Sequence, residues 1–110
     1  MKLIKAFIHH VRAASVVDAL ADAGYRNLTL HDVKGMLKPI TGNERAYSVE
    51  AGGLVIAEVQ LSLVVEDNQM SKVTSIIQTV GRIGQNISGY IYVSTIDQVL
   101  QIGGAAEITS

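Results

Sequence analysis

The chain has no cysteine, which excludes disulfides, thiolate metal sites and cysteine nucleophiles at once and suits a reducing compartment. The cytoplasm is the expected location. Charge is also scarce: 17% of residues are charged, against roughly 25% in a typical soluble chain. Nine Lys and Arg against ten Asp and Glu leave a net charge of -1, so there is no basic footprint for nucleic acid or for an anionic membrane. No apolar run approaches the ~20 residues that cross a bilayer. The opening MKLIKAFIHH lacks the long apolar core and small-residue cleavage site of a signal peptide. Neither export nor direct membrane insertion is expected.

What is present is apolar surface in a short chain. The 110 residues suit one domain spanning 1–110, and 48% of them are hydrophobic, with a mean hydropathy of +0.30. A domain of this size leaves about 30–40% of its surface in water. With so few charges to cover that surface, self-association is expected.

The periodicity predicts βαββαβ. Residues 2–9, KLIKAFIH, alternate with apolar groups on both sides, as in a central strand. Between Arg12 and Ala23, Val16, Val17, Leu20 and Ala23 recur at helical spacing, and Gly24 stands where a left-handed cap belongs. Residues 27–35 alternate again and stop at Gly35. From Met36 to Gly53 no period holds, and Pro39, Gly42, Asn43, Gly52 and Gly53 break the chain into a long loop. Residues 54–66 alternate clearly, with Val55, Ala57, Val59, Leu61, Leu63 and Val65 facing a core and Glu58, Gln60 and Ser62 facing away. Asp67 and Asn68 offer an N-cap to a second helix carrying Met70, Val73, Ile76, Ile77 and Val80, which runs to Gly81. A glycine-punctuated turn then leads into the strand YIYVSTI, and a tail follows that is expected to be flexible from about residue 103 to 110. This order is that of the α+β ferredoxin-like sandwich, one antiparallel sheet with two helices on a single face. The uncovered face, amphipathic rather than fully polar, suggests copies packed sheet to sheet around a symmetry axis.

Chemistry-bearing clusters are sparse. His9 and His10 adjoin on a predicted strand, where neighbours point to opposite faces, so they cannot share an ion unless the chain bends there. His31 stands apart, and no acidic set completes a metal site. Asp18 and Asp22 share a solvated helix face, Glu44, Glu50 and Glu58 have no histidine beside them, and no GxSxG elbow occurs. An enzyme is not expected. Gly84 and Gly89 have the phosphate-loop spacing, but Tyr90 and Ile91 follow instead of Lys and Ser or Thr, so Arg82 is the cation this turn offers to an anion.

The stretches MKLIKAFI, DALADAGYRNLTLHDVKG, VQLSLVVED, SIIQTVGRIG and GYIYVSTIDQVLQI, with 18 residues between DVKG and the third strand, resemble the PII signal-transduction family along the whole chain. YSVEAGG is similar to the loop of a PII-like subgroup associated with transport systems. The resemblance implies a homotrimer whose protruding T-loop, here 37–53, contacts a membrane transporter or an enzyme. It also implies a nucleotide cleft between subunits, around which Thr29, Gly35, Val64, Gly84 and Gly89 keep family-like identities and Arg82 replaces a lysine. Other family groups are missing: Tyr90 stands for a phosphate-binding lysine, and Gln101 and Gly103 stand for two arginines. Losing three cations removes several charge-assisted bonds, each worth about 1.5–3 kcal/mol. Leu37, Pro39 and Glu58 replace the groups that hold 2-oxoglutarate, Glu58 with opposite charge. Ala51 and Val49 occupy the family's modified tyrosine and serine positions, with Tyr47 and Ser48 as the nearby hydroxyls. The resemblance so corrected implies ADP, AMP or a small anion as effector and disfavours Mg-ATP with 2-oxoglutarate. Its alternatives are a metal-responsive protein linked to metal efflux, using His9, His10 or His31 across subunits, and a ligand-free trimeric adaptor.

Overall fold

The computed structural model describes residues 1–35 and 56–104. The T-loop span 37–53 lies outside the described residues, as does the tail beyond Gly104. Eight residues of strand β1 (Lys2–His9) lead straight into helix α1 (His10–Asp22), followed by β2 (Thr29–Gly35), β3 (Ile56–Val65), helix α2 (Met70–Val80) and β4 (Gly89–Thr95). The expected order holds. All strand pairs are antiparallel, and the sheet runs β2-β3-β1-β4, so the strand with apolar residues on both sides is indeed interior.

Alternation decides which residues meet the helices. Ile4, Ala6 and Ile8 of β1 and Leu61, Leu63 and Val65 of β3 are buried against Val16 and Leu20 of α1 and Val73 and Ile77 of α2. Each fully buried side chain of this size contributes about 1.5–3 kcal/mol relative to exposure. The opposite sheet face carries Leu3, Lys5, Phe7 and His9 in register with Val64, Ser62, Gln60 and Glu58. Tyr90 and Tyr92 lie beside Phe7 and Lys5 on the same face, exposed by 46% and 57%, and Phe7 meets Tyr92 edge to face at 5.7 Å.

The ends of the helices differ from the sequence expectation in instructive ways. At α1, Gly24 adopts φ +99°, its N–H reaches Ala21 O at 3.0 Å, and Tyr25 N–H reaches Leu20 O at 2.9 Å. This paired closure needs the left-handed glycine and satisfies two orphan carbonyls. The start of α1 comes two residues earlier than expected, because His9 caps it: the His9 Nδ1 accepts the Val11 N–H at 3.3 Å. Asp67 and Asn68 do not cap α2. They sit in a short 3-10 turn, Asp67–Gln69, and Gln69 at the cap makes no side-chain cap bond. Asp67 instead accepts from the Met1 amine at 2.9 Å, which holds its carboxyl below the ordinary range. At the other end of α2, the Arg12 guanidinium donates from Nε and Nη2 to Val80 O at 2.9 and 2.7 Å, tying the start of one helix to the end of the other.

Candidate functional site

Between α2 and β4 the chain must turn from a helix to an edge strand through Gly81–Ser88, and local bonds hold that turn without regular structure. The Ser88 hydroxyl accepts the Ile83 N–H at 2.7 Å and lies 3.3 Å from the Ile83 and Asn86 carbonyls. Arg82 Nε donates to Gly84 O at 3.0 Å, across a backbone that Gly84 turns at φ +58°. Directly after the turn, Gly89 enters the sheet so close to β1 that a Cβ there would lie 2.0 Å from Phe7 O. Only glycine permits this approach.

The result is a cleft of about 430 Å³ on the β4 side of the sheet, within the size range of small-ligand sites. Phe7, Ile8, Ile77 and Ile91 form its apolar walls, and Gln78, Arg82, Asn86 and Tyr90 bring polar groups to it. Arg82 and Gly89, two of the residues singled out from the sequence, therefore meet here, and Gly84 is joined to them through the Arg82 bond.

The other three lie elsewhere in the protomer. Gly35 ends β2 opposite Ile56, two strands away from β1 and at the other edge of the sheet from β4. Thr29 and Val64 stand on the uncovered face. Val64 lies towards the opposite end, since Leu3 pairs with Val64 whereas Ile8 pairs with Gly89, five residues of strand or roughly 17 Å away. Thr29 pairs with Ser62 in the row of Lys5 and lies on β2, at the other edge of the sheet from β4. Val64 is 43% exposed.

A second feature was not legible in the sequence. Glu58, expected on a solvated face, is only 4% exposed, and its Oε2 has no hydrogen-bond partner among the described residues. Burial pushes its carboxyl above the ordinary range. In the adjacent strand its register partner is His9, buried as well at 6% exposure. This pairing depends on strand register, which local periodicity does not encode. The two adjacent histidines also depart from the strand rule, because β1 ends and α1 begins between them. Their rings stack at 4.7 Å and 25°. The His9 Nδ1 accepts the Val11 N–H, so that nitrogen is engaged at the start of α1. Among the described residues no group of three or more His, Asp or Glu is placed to hold a metal ion, and His31 lies on β2, exposed.

No helix among the described residues is long and apolar enough to cross a membrane. The sequence profile described as Nitrogen regulatory protein P-II matches residues 1–104. A nitrogen regulatory protein P-II from Microchaete diplosiphon is 30% identical over 102 residues, covering 93% of this chain and 91% of that protein. A nitrogen fixation nifHD region glnB-like protein 1 from Methanococcus maripaludis is 33% identical over 104 residues, 93% of each chain. A nifHD2 region GlnB-like protein 1 from Methanosarcina barkeri is 32% identical over the same span and shares. Sequence and fold thus agree, and the chain belongs to the nitrogen regulatory protein P-II family of signal-transduction regulators.

Proposed function

We propose that this PII-family chain works as a cytoplasmic, non-catalytic homotrimer that senses a small effector in clefts between subunits and reports it through the T-loop, 37–53, to a membrane transporter or an enzyme. The observation that carries this reading is the separation within one protomer of Val64 from Gly89, by roughly 17 Å of strand, and of Thr29 on one edge strand from Gly89 on the other. If these residues serve one cleft, a second copy has to supply Thr29 and Val64. The uncovered sheet face supports association, since Leu3, Phe7, Val64, Tyr90 and Tyr92 give it an apolar component that no helix among the described residues covers.

Sedimentation equilibrium at micromolar concentration, followed by calorimetric titration with ATP, ADP, AMP and 2-oxoglutarate, tests the proposal. The expected result is a trimer that binds at least one of the adenine nucleotides and responds weakly or not at all to 2-oxoglutarate. A monomer removes the intersubunit cleft and the proposal with it. A trimer that binds none of them, yet still captures a partner through an intact T-loop, is the adaptor. Stoichiometric binding of zinc, copper or nickel that is lost in His10→Ala points to the metal-responsive protein.

A further inference from the structure

The junction of β1 and α1 is closed by a side chain that can titrate. His9 is the N-cap of α1, and its Nδ1 accepts the Val11 N–H at 3.3 Å. A cap of this kind is ordinarily Ser, Thr, Asp or Asn, whose oxygen keeps accepting throughout the neutral range. An imidazole nitrogen does not, because a cationic ring carries a proton on both nitrogens and accepts at neither. The cap bond and the cationic ring therefore exclude one another.

The surroundings give that exclusion consequences. A helix N-terminus is the positive end of the macrodipole, the first turn of α1 contains no acidic residue, and Arg12 adds a cation to it. A charged His9 is thus repelled by the turn that a neutral His9 closes. Among the described residues, Glu58 of β3 faces His9 in register, and His10 of α1 stacks on it at 4.7 Å. The next row on that face brings Gln60 with His31 of β2 and, through Phe7, Tyr90 of β4; Lys5 lies one row further. A proton arriving at the junction is contested between the His9 ring and the Glu58 carboxyl, both buried.

Arg12 extends the effect beyond one turn. It follows the capped Val11 directly, and its Nε and Nη2 donate to Val80 O at 2.9 and 2.7 Å. Val80 is the last residue of α2, from which the chain enters the Gly81–Ser88 turn. Fraying the first turn of α1 frees the Arg12 backbone, and the regained conformational entropy opposes this tie.

We propose that His9 is a proton-operated cap: its neutral ring closes the first turn of α1, and protonation releases that turn together with the Arg12 tie to the end of α2. The device goes beyond the effector reading, since it needs neither a ligand nor a second copy of the chain.

NMR on the full chain, with a chelator present, follows the His9 ring and the Val11 and Arg12 amides from about pH 8 to about pH 5. Protection of the Val11 amide against hydrogen exchange, corrected for the intrinsic rate, falls about tenfold with the midpoint of the His9 ring, and the Arg12 Nε–H resonance shifts with it. The core amides of Val73 and Ile77 keep their protection. His9→Asn, which leaves a neutral acceptor at the cap, holds the Val11 amide protected at every pH. Glu58→Gln and His10→Gln retain the transition. Val11 protection that stays constant while the ring titrates overturns the inference, as does a ring that takes up no proton in this range. A transition that survives in His9→Asn, vanishes in Glu58→Gln or is shared by Val73 and Ile77 overturns it too, assigning the proton to another group or the change to general unfolding.

Discussion

Glu58 provides the sharpest test of the physical reasoning, because its cost is tied to pH. The side chain is 4% exposed and its Oε2 meets no donor among the described residues, an arrangement that costs about 1–3 kcal/mol for a buried unsatisfied acceptor. Desolvation raises the native carboxyl above its ordinary value. Below about pH 4 both folded and unfolded chains hold the proton, so the group contributes no penalty. As pH rises, the unfolded chain releases its proton first, and the folded state loses stability until pH passes the raised native value. Glu58→Gln removes the titration and keeps the shape. Urea unfolding at fixed protein concentration, from pH 4 to pH 8, then gives two curves. The variant gains on the parent as pH rises through the carboxylate range, with a slope of at most ~1.4 kcal/mol per pH unit. Holding the concentration fixed matters, since association contributes to apparent stability. Parallel curves would show that the carboxyl titrates alike in both states. A gap that closes with rising pH would show an ionised Glu58 stabilised by a cation. Either result refutes the argument.

Three further outcomes follow from the packing. Gly89→Ala forces a Cβ to within 2.0 Å of Phe7 O, so β4 must shift away from β1; a loss of about 1–3 kcal/mol is expected in denaturant unfolding, and a change under about 0.5 kcal/mol would mean that the close approach is not as described. Arg12→Met keeps the aliphatic stem but removes both bonds to Val80 O, costing about 1.5–3 kcal/mol; a neutral result would mean water replaces them freely. Leu20→Ala, at a position with 0% exposure between the helices and the sheet, costs about 2–5 kcal/mol by thermal or chemical melting; a cost below about 1 kcal/mol would place Leu20 outside the core.

Much of the architecture was readable from short-range pattern. The alternation in KLIKAFIH and in residues 54–66 specified strands, the second observed as Ile56–Val65, and two-sided apolarity marked β1 as interior, because side chains alternate with a period of two whatever surrounds them. Spacing of Val16 and Leu20, closed by Gly24, specified α1 for the same local reason. Cap chemistry was less legible. Asp67 looked like the cap of α2 by residue type, yet the Met1 amine, 66 positions away in sequence, took its carboxylate. His9 ends β1 as its alternation predicted, and its ring also caps α1. Both cap assignments have one cause: a side chain that can serve several partners is assigned by whichever one the fold brings near.

The amino-acid order alone therefore determined the succession of strands and helices, the faces they bury, and the scarcity of cations around the Gly81–Gly89 turn, since each of these depends on neighbours within a few residues. Tertiary structure alone decided that Glu58 is buried across from His9, that the two histidine rings stack at a strand-to-helix bend, that Val64 stands towards the far end of the sheet from Gly89, and that Thr29 stands on the opposite edge strand from it. Those facts depend on strand order and register, which are settled by the packing of the whole sheet against its helices and leave no trace in local periodicity.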